Sequence, residues 1–246
     1  MSSSRTDLFL LGSGIRGFLQ ITDETRQAIR ASRVVFVLHD DLAVHDYIRS
    51  LCNDVRDLSE MYEGQQVRSE VYRSISDLLV SEALTAPGVS FVVHGHPLFL
   101  VSATEYTLES ARANGLTVRM LPGLSSFDTL LCDLEIDYGY GLQIFDSTTM
   151  ISCRWYPNPA IPALIFQLAT TLSGSVTRDE PQPAVLQPLI QHLRQIYPGQ
   201  QRCVVVHSST HVMEGATLIS TTLEQLMYEP DLALWKRPTL YVPPVA

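Results

Sequence analysis

The sequence predicts an α/β fold in two domains, and three features carry that prediction. Short apolar runs that end at a glycine, a histidine or a turn are typical of buried strands. Segments with apolar residues at helical spacing separate the first four of these runs. After Pro122-Gly123 the apolar runs continue, but proline-rich connections separate them. Strands that alternate with helices favour a largely parallel sheet in the first domain.

Residues 1–121 form the first predicted domain. Its expected strands are short apolar runs, at residues 7–12, 33–39, 89–94 and 117–121. Its expected helices have apolar residues at helical spacing, over residues 21–31, 67–84 and 103–113. Thr22 is expected to cap the first helix, because its side-chain oxygen can accept a hydrogen bond from an unpaired N–H of the first turn.

Residues 122–246 form the second predicted domain. Its expected strands are again apolar runs, at residues 142–145, 163–168, 203–207 and 241–242. The connections at 157–162 and 181–188 are rich in proline, which disfavours helix interiors. A chain of 246 residues is long enough for two such domains, each with a buried core.

Composition and charge exclude several classes of partner. Hydrophobic residues make up 46% of the chain and charged residues 17%, a globular composition, and the net charge is −9. The seventeen basic residues are scattered, so nucleic acid and anionic membranes are not expected as partners. The apolar runs are far shorter than the ~20 residues of a membrane helix. Residues 1–5 lack the apolar core of a signal peptide, so we expect a cytoplasmic protein.

A glycine-rich turn is the first candidate site. Gly12-Ser-Gly14-Ile-Arg-Gly17 follows a strand and precedes a helix, as the dinucleotide fingerprint does. Asp40 and Asp41, after the second strand, could then bind a ribose. The alternative is a tight turn that needs glycine for its backbone conformation. This motif by itself leaves a nicotinamide-dependent oxidoreductase open.

The second candidate is His94-Gly95-His96-Pro97, at the end of the third strand. Ligands of open α/β sheets bind beyond the carboxyl ends of the strands. Residues two apart in a strand share a face, so the two histidines could converge on a metal. Pro97 ends the strand, however, and no carboxylate lies close by in the sequence. We therefore expect no metal.

The third candidate is the group Tyr62, Arg68 and Tyr72. Arg68 and Tyr72 are four residues apart and so lie on one face of the predicted helix. From the residues alone, the simpler interpretation is two half-buried tyrosines beside a surface arginine.

Together these motifs resemble the tetrapyrrole methylase superfamily, whose members use S-adenosylmethionine. Leu11-Gly-Ser-Gly14 and Leu19-Gln-Ile-Thr22 are similar to its opening strand, turn and helix start. Gly95-His-Pro97 is similar to its Gly-Asp-Pro turn, with His96 in place of the acid, and Pro122-Gly-Leu-Ser125 is similar to its domain junction. The resemblance implies two α/β domains of the tetrapyrrole methylase type, with the cofactor cleft between them.

A sharper resemblance is to the borosin-type, omphalotin-like peptide backbone α-N-methyltransferases. That group carries a Tyr-x5-Arg-x3-Tyr pattern, which Tyr62, Arg68 and Tyr72 match. It usually has tyrosine before Gly-His-Pro, where this chain has His94. Its fungal members carry a long C-terminal substrate tail. Because the chain ends at Ala246, we expect the split bacterial type, which modifies a separate peptide.

The resemblance also implies roles. Tyr62 would accept the amide proton, Arg68 would stabilise negative charge and Tyr72 would hold the amide. S-adenosyl-L-methionine would bind the residues that match the family's cofactor segments, namely His96, Pro97, Val101, Ser102, Ala103, Thr104, Ser125, Ser126 and Gln167. The expected partners are a precursor peptide in trans and a second copy in a homodimer. The main alternative is a methyltransferase of the same fold acting on a tetrapyrrole or another small molecule.

Overall fold

The computed structural model of the chain describes residues 6–62, 66–176 and 180–245. The chain divides into two compact units, residues 1–129 with 174–178, and residues 130–173 with 179–246. The predicted domain boundary, Leu121, is the last residue of the final strand of the first sheet, and it stays a prediction. Residues 1–5, on which the expected localisation depends, lie outside the described residues.

The strands, in chain order, are β1 (Leu8–Gly12), β2 (Val34–Leu38), β3 (Val55–Asp57), β4 (Gln66–Val67), β5 (Val89–Val93), β6 (Val118–Leu121), β7 (Gln143–Asp146), β8 (Ala163–Phe166), β9 (Ser175–Val176), β10 (Arg202–His207), β11 (Thr217–Thr222) and β12 (Thr239–Val242). The helices are α1 (Asp23–Ala31), α2 (Leu42–Arg49), α3 (Arg68–Thr85), α4 (Ser102–Ala113), α5 (Ser126–Leu134), α6 (Ser147–Ser152) and α7 (Gln187–Leu193). Within the described residues, none of these helices is both long enough and apolar enough to cross a membrane.

The first unit is built on a parallel sheet with strand order β3-β2-β5-β1-β6. Apolar residues cover both of its faces, with Ile75 and Leu79 of α3 in one core and Ile29 of α1 and Ile48 of α2 in the other. All five residues of β5 are buried, as expected for a central strand of a parallel sheet. The predicted parallel sheet is confirmed.

The second unit is built on a mixed sheet with strand order β11-β10-β12-β8-β7. Strands β7 and β8 are parallel, and the other neighbours are antiparallel. Its core includes Met150, Ile165, Leu189 and Leu240. The α/β class predicted from the sequence is therefore confirmed for both sheets.

Short polar side chains cap the first turns of α1 and α2. The hydroxyl of Thr22 accepts a hydrogen bond from the Thr25 N–H at 3.1 Å, which confirms the predicted cap of α1. Asp41 caps α2 in the same way, accepting from the Ala43 N–H at 2.8 Å. α3 begins beside the two-stranded pairing of β4 with β9, where the Arg68 N–H donates to the Gly174 carbonyl at 2.9 Å.

Candidate active site

Three turns meet through their glycines at the carboxyl edge of the first sheet. Gly12 ends β1, Gly95 follows β5 and Gly123 follows β6. A Cβ on Gly123 would lie 2.5 Å from the Gly95 carbonyl oxygen and 2.7 Å from the Gly12 carbonyl carbon. Real Cβ atoms do not approach backbone this closely. The turns of three motifs that are far apart in the sequence therefore pack against one another, backbone against backbone.

The glycine-rich turn after β1 is closed by the side chain of Gln20. Its Oε1 accepts hydrogen bonds from the Ile15 N–H at 2.7 Å and from the Arg16 N–H at 2.9 Å. A pyrophosphate would need such backbone N–H groups, and these two already have a partner. Asp41, one of the two acids that could have bound a ribose, caps α2 instead. The geometry thus favours the tight-turn interpretation over the dinucleotide one.

The structure brings together the two tyrosines of the predicted catalytic group. Tyr62 ends a 3-10 turn after β3, and Tyr72 lies in the second turn of α3. Their ring centroids are 6.2 Å apart, and both rings pack, partly buried, against the core of the first unit. Arg68 is the first residue of α3, one helical turn before Tyr72, and is also partly buried. The structure thus brings the two tyrosine rings together and places Arg68 one helical turn from Tyr72 along α3.

A cluster of histidines lies at the ends of β2 and β5. His94 Nδ1 is 3.0 Å from Nε2 of His39, and the two rings meet edge to face. Burial, followed by the proximity of His94, lowers the pKa of His39 to about 4. His45 of α2 is buried behind them, with Nε2 2.7 Å from the His39 carbonyl oxygen. His39 and His45 are not among the predicted site residues, because the adjacency of β2 and β5 cannot be read from local sequence.

The segment from His96 to Thr104 carries most of the predicted cofactor residues. Nδ1 of His96 accepts from the Leu98 N–H at 3.1 Å, and Pro97 is buried. Ala103 and Thr104, in the first turn of α4, are fully buried, whereas Val101 and Ser102 are partly exposed. Within the described residues, the Thr104 hydroxyl is buried and has no hydrogen-bond partner.

Ser125 caps α5 and is already bonded within the unit. Its N–H and its hydroxyl both donate to Oδ2 of Asp128, at 2.6 and 2.7 Å, and its Oγ accepts from the Asp128 N–H at 3.3 Å. This is a reciprocal capping box. A ligand at this turn would meet Ser126, which is partly exposed, more readily than the hydroxyl of Ser125.

Gln167, the remaining predicted cofactor residue, belongs to the second unit and follows β8. Its backbone is left-handed, with φ of 62°, an uncommon conformation for a residue other than glycine. The Gln167 carbonyl accepts from the Ser147 hydroxyl at 3.1 Å and from the Thr170 N–H at 3.1 Å. Such strain, held by surrounding hydrogen bonds, is concentrated at functional sites.

Known proteins identify the family of this architecture. The family model described as Tetrapyrrole (Corrin/Porphyrin) Methylases matches residues 7–227. The chain belongs to this tetrapyrrole methylase family. A crystal structure of uroporphyrin-III-C-methyltransferase from Thermus thermophilus is similar, with a TM-score of 0.64 and 15% identity over 96% of this chain and 91% of that one. A structure of that Thermus enzyme complexed with S-adenyl homocysteine gives a TM-score of 0.57 at 15% identity, over 96% and 91% of the two chains.

Curated relatives of the chain include fungal borosin proteins. The chain is 25% identical to the methyltransferase/ribosomally synthesized type I borosin cyclic peptide precursor ceuMA2 of Cerrena unicolor, over 99% of this chain and 60% of that protein. It is 28% identical to the dendrothelin A precursor dbihMA of Dendrothele bispora, over 100% of this chain and 60% of that protein. The chain thus spans little more than half the length of these relatives. The predicted resemblance to the borosin group is confirmed.

Proposed function

We propose that this protein is an S-adenosylmethionine-dependent methyltransferase that methylates backbone amide nitrogens of a peptide. The observation that carries the proposal is the pair of partly buried rings of Tyr62 and Tyr72, 6.2 Å apart, with Arg68 one turn away along α3. The names of the fungal relatives, which join a methyltransferase to a peptide precursor, support the peptide as the substrate class.

The residues of the first unit suit the proposed methyl donor. When bound, S-adenosylmethionine supplies an electrophilic methyl group on a positively charged sulfur. The buried hydroxyl of Thr104, which has no hydrogen-bond partner in the described part of the chain, would gain one from a polar ligand. We propose that the segment from His96 to Thr104 holds the donor together with Ser125 and Ser126, and that Gln167 is a further contact.

Proton removal is the chemistry that the tyrosine pair would supply. An amide nitrogen is a poor nucleophile, because its lone pair is delocalised into the carbonyl. Tyr62, as phenolate, would accept the N–H proton, and the positive charge of Arg68 would favour that phenolate. Arg68 would also stabilise charge that develops on the amide oxygen. Tyr72 would hold the amide through its hydroxyl.

The proposal includes two partners, a separate precursor peptide and a second copy of the chain. Both follow from the family resemblance. Mixing the purified protein with peptides tests the first directly, because activity on an added peptide requires no covalent link. Light scattering tests the second, since a homodimer has twice the mass of the chain and a stable monomer would contradict it.

The central experiment combines the protein, S-adenosylmethionine and a random-sequence peptide library, and locates added methyl groups by fragmentation in a mass spectrometer. We expect methyl groups on backbone nitrogens. Tyr62→Phe and Arg68→Ala should each lower the rate by ~10²–10³, the usual cost of losing one stabilising group from a preorganised site. Affinity for S-adenosylhomocysteine, measured by calorimetry, should change little in either variant.

Tyr140→Phe is the matched control, because Tyr140 is 96% exposed and the change again removes only a hydroxyl. It should leave the rate at the wild-type value. Full activity of Tyr62→Phe would contradict the role of that phenol. Methyl groups found only on side chains or on a small molecule would contradict the substrate class and favour the tetrapyrrole-type alternative.

A further inference from the structure

Arg16 is a partly exposed arginine in the glycine-rich turn after β1, and the proposed mechanism does not use it. Its Nε atom is buried and has no hydrogen-bond partner within the described residues. None of the ion pairs in the described part of the chain includes its guanidinium either. Burying a donor of a charged group without a partner costs free energy. The missing partner must then come from outside the chain, as water, an ion or a ligand.

The backbone around Arg16 is held in place by the neighbouring turns. Its N–H donates to Oε1 of Gln20 at 2.9 Å. Two residues earlier, the Gly14 N–H donates to the Gly95 carbonyl at 3.3 Å, and the Gly95 N–H donates to the Gly14 carbonyl at 3.0 Å. Gly95 leads directly into the proposed donor-binding segment, which begins at His96. Arg16 therefore lies at the carboxyl edge of the first sheet, where ligands of open α/β folds bind.

The guanidinium group, in contrast, is not held by a neighbouring acid. Asp41 is beside this turn, because its Oδ2 lies 3.2 Å from the position that a Cβ on Gly17 would take. Oδ1 of Asp41 caps α2, and no ion pair of the described residues joins Asp41 to Arg16. Since no hydrogen bond holds Nε, the long side chain can rotate toward a ligand that reaches its exposed side.

The surroundings of Arg16 favour a carboxylate over a phosphate as this ligand. Phosphate sites at such turns use several backbone N–H groups, and two of those in this turn already donate to Gln20. A guanidinium matches the two oxygens of a carboxylate with two parallel hydrogen bonds. The next side chains, Phe18 and Leu19, are apolar and exposed, and Phe18 stacks on Tyr47 with ring centroids 5.1 Å apart. A carboxylate on a partly apolar molecule, such as a peptide, fits this combination.

We propose that Arg16 determines specificity by binding a carboxylate of the peptide substrate through two parallel hydrogen bonds. The proposal rests on the proposed function. The carboxylate belongs to an aspartate or glutamate side chain or to the C-terminus of the peptide, at a fixed number of residues from the methylated nitrogen. It takes no part in the reaction, so the contact stabilises bound substrate and transition state equally. Its loss should therefore raise KM and leave kcat unchanged.

A peptide library measures this preference. Peptides that the wild-type protein methylates should be enriched in an acidic residue at one distance from the methylated nitrogen. A second library with amidated C-termini separates the two sources, because only a terminal carboxylate is lost there. Replacing the carboxylate of the best peptide by its amide should lower kcat/KM by ~10–10²-fold, the usual effect of a hydrogen bond to a charged group. Arg16→Gln should methylate the two peptides at similar rates.

A charge reversal and a matched control sharpen the test. Where the carboxylate is a side chain, Arg16→Glu should instead prefer a lysine at that position of the peptide. Arg16→Lys keeps the charge but loses the two-pronged geometry, so it should retain only part of the preference. Arg30→Gln is the control, because Arg30 is exposed on α1 and the change again removes one guanidinium. It should keep the kinetics and the preference of the wild type.

Two measurements without peptide separate ligand binding from other roles of Arg16. Arg16→Met keeps an unbranched side chain and removes the charge. Because the guanidinium makes no ion pair within the described residues, its urea midpoint should stay at or above that of the wild type. A clearly lower midpoint shows that the fold needs Arg16 and overturns the proposal. Calorimetry that finds weaker binding of S-adenosylhomocysteine to Arg16→Gln also overturns it, because the guanidinium then binds the carboxylate of the methyl donor.

The kinetic outcomes distinguish this proposal from the proposed function. A wild-type protein that methylates peptides without regard to their carboxylates overturns the role of Arg16 alone. An Arg16→Gln variant with lowered kcat and unchanged KM does the same, since it indicates a part in the reaction itself. A wild-type protein that methylates no peptide overturns the proposed function, and the role of Arg16 with it.

Discussion

Gly12, Gly95 and Gly123 are residues whose importance lies in having no side chain. Their backbones meet at the carboxyl edge of the first sheet, in the same turns that carry His94 and the cap of α5. Because backbone contacts backbone there, the turns have little freedom to adjust. This backbone contact therefore helps to fix the positions of His94 and Ser125, which lie in these turns.

Gly12→Ala should destabilise the protein by roughly 1–3 kcal/mol or more, the usual range for overpacking. Its Cβ would lie 2.5 Å from the Gly123 nitrogen, and that atom belongs to a backbone that cannot rotate away. Urea unfolding at neutral pH measures the change. Gly215→Ala is the control, since a Cβ at that position would meet no atom of the described residues within 4 Å, and its stability should stay near that of the wild type.

The pKa of His39 predicts a loss of stability in mild acid. The unfolded chain binds a proton on this imidazole near pH 6.5, whereas the folded chain does so only near pH 4. Between these values the unfolded state holds more protons, so stability present above pH 6.5 is lost as the pH falls. The loss from this group is at most about 3 kcal/mol. Unfolding free energies across this range should fall less steeply for His39→Gln, and equal slopes for both proteins would contradict the prediction.

At the scale of elements, the start of α5 has two roles. It caps the helix through Ser125, and it carries two of the candidate cofactor residues, Ser125 and Ser126. Ser125→Ala removes the hydroxyl that accepts from the Asp128 N–H, and should cost about 1 kcal/mol of stability, as lost N-caps do. Denaturant unfolding without ligand measures this cost. Ser126→Ala removes a neighbouring hydroxyl outside the capping box and should change stability by less than about 0.5 kcal/mol. Equal effects of the two variants would show that the cap is not the source of the loss.

The elements that could be predicted from the sequence are those whose burial is strong. β1, β2 and β5 are apolar because helices cover both faces of the sheet, so each stands out as a continuous run. The edge strand β11 is not predicted, because most of its residues are exposed, polar or both. β3 is not predicted either, because it has three residues, two of them exposed and charged.

Only part of the candidate site could be predicted from the sequence. The spacing of Tyr62, Arg68 and Tyr72 gives the shared helical face of the last two, and the family resemblance gives their proposed roles. The pairing of His39 with His94 could not be predicted, since it depends on β2 lying next to β5 in the strand order. That order is a property of the whole sheet, and no local pattern encodes it.

At the scale of the whole molecule, the packing predicts which cysteine thiols react with a reagent in the native protein. Cys132 and Cys153 are exposed, whereas Cys52 and Cys203 are buried. Burial, with a smaller effect of Glu229, raises the pKa of Cys203 to about 12, so this thiol is also poorly ionised. A disulfide reagent should therefore modify two thiols rapidly in the native protein and the other two only in denaturant. The double variant Cys132→Ser, Cys153→Ser should be unreactive until it unfolds, and rapid native labelling of that variant would contradict the described packing.

The position of β1 within the first sheet has a consequence for synthesis. This strand is near the start of the chain, yet its partners are β5 and β6, so that Leu8 pairs with Val89 and with Val118. A growing polypeptide therefore exposes this apolar strand before either of its partners has been made. Contacts that span so much of the chain form slowly, and unpaired apolar strands are prone to aggregate in the meantime. The whole segment from Leu8 to Leu121 must be synthesised before the sheet that carries the three glycine turns can close.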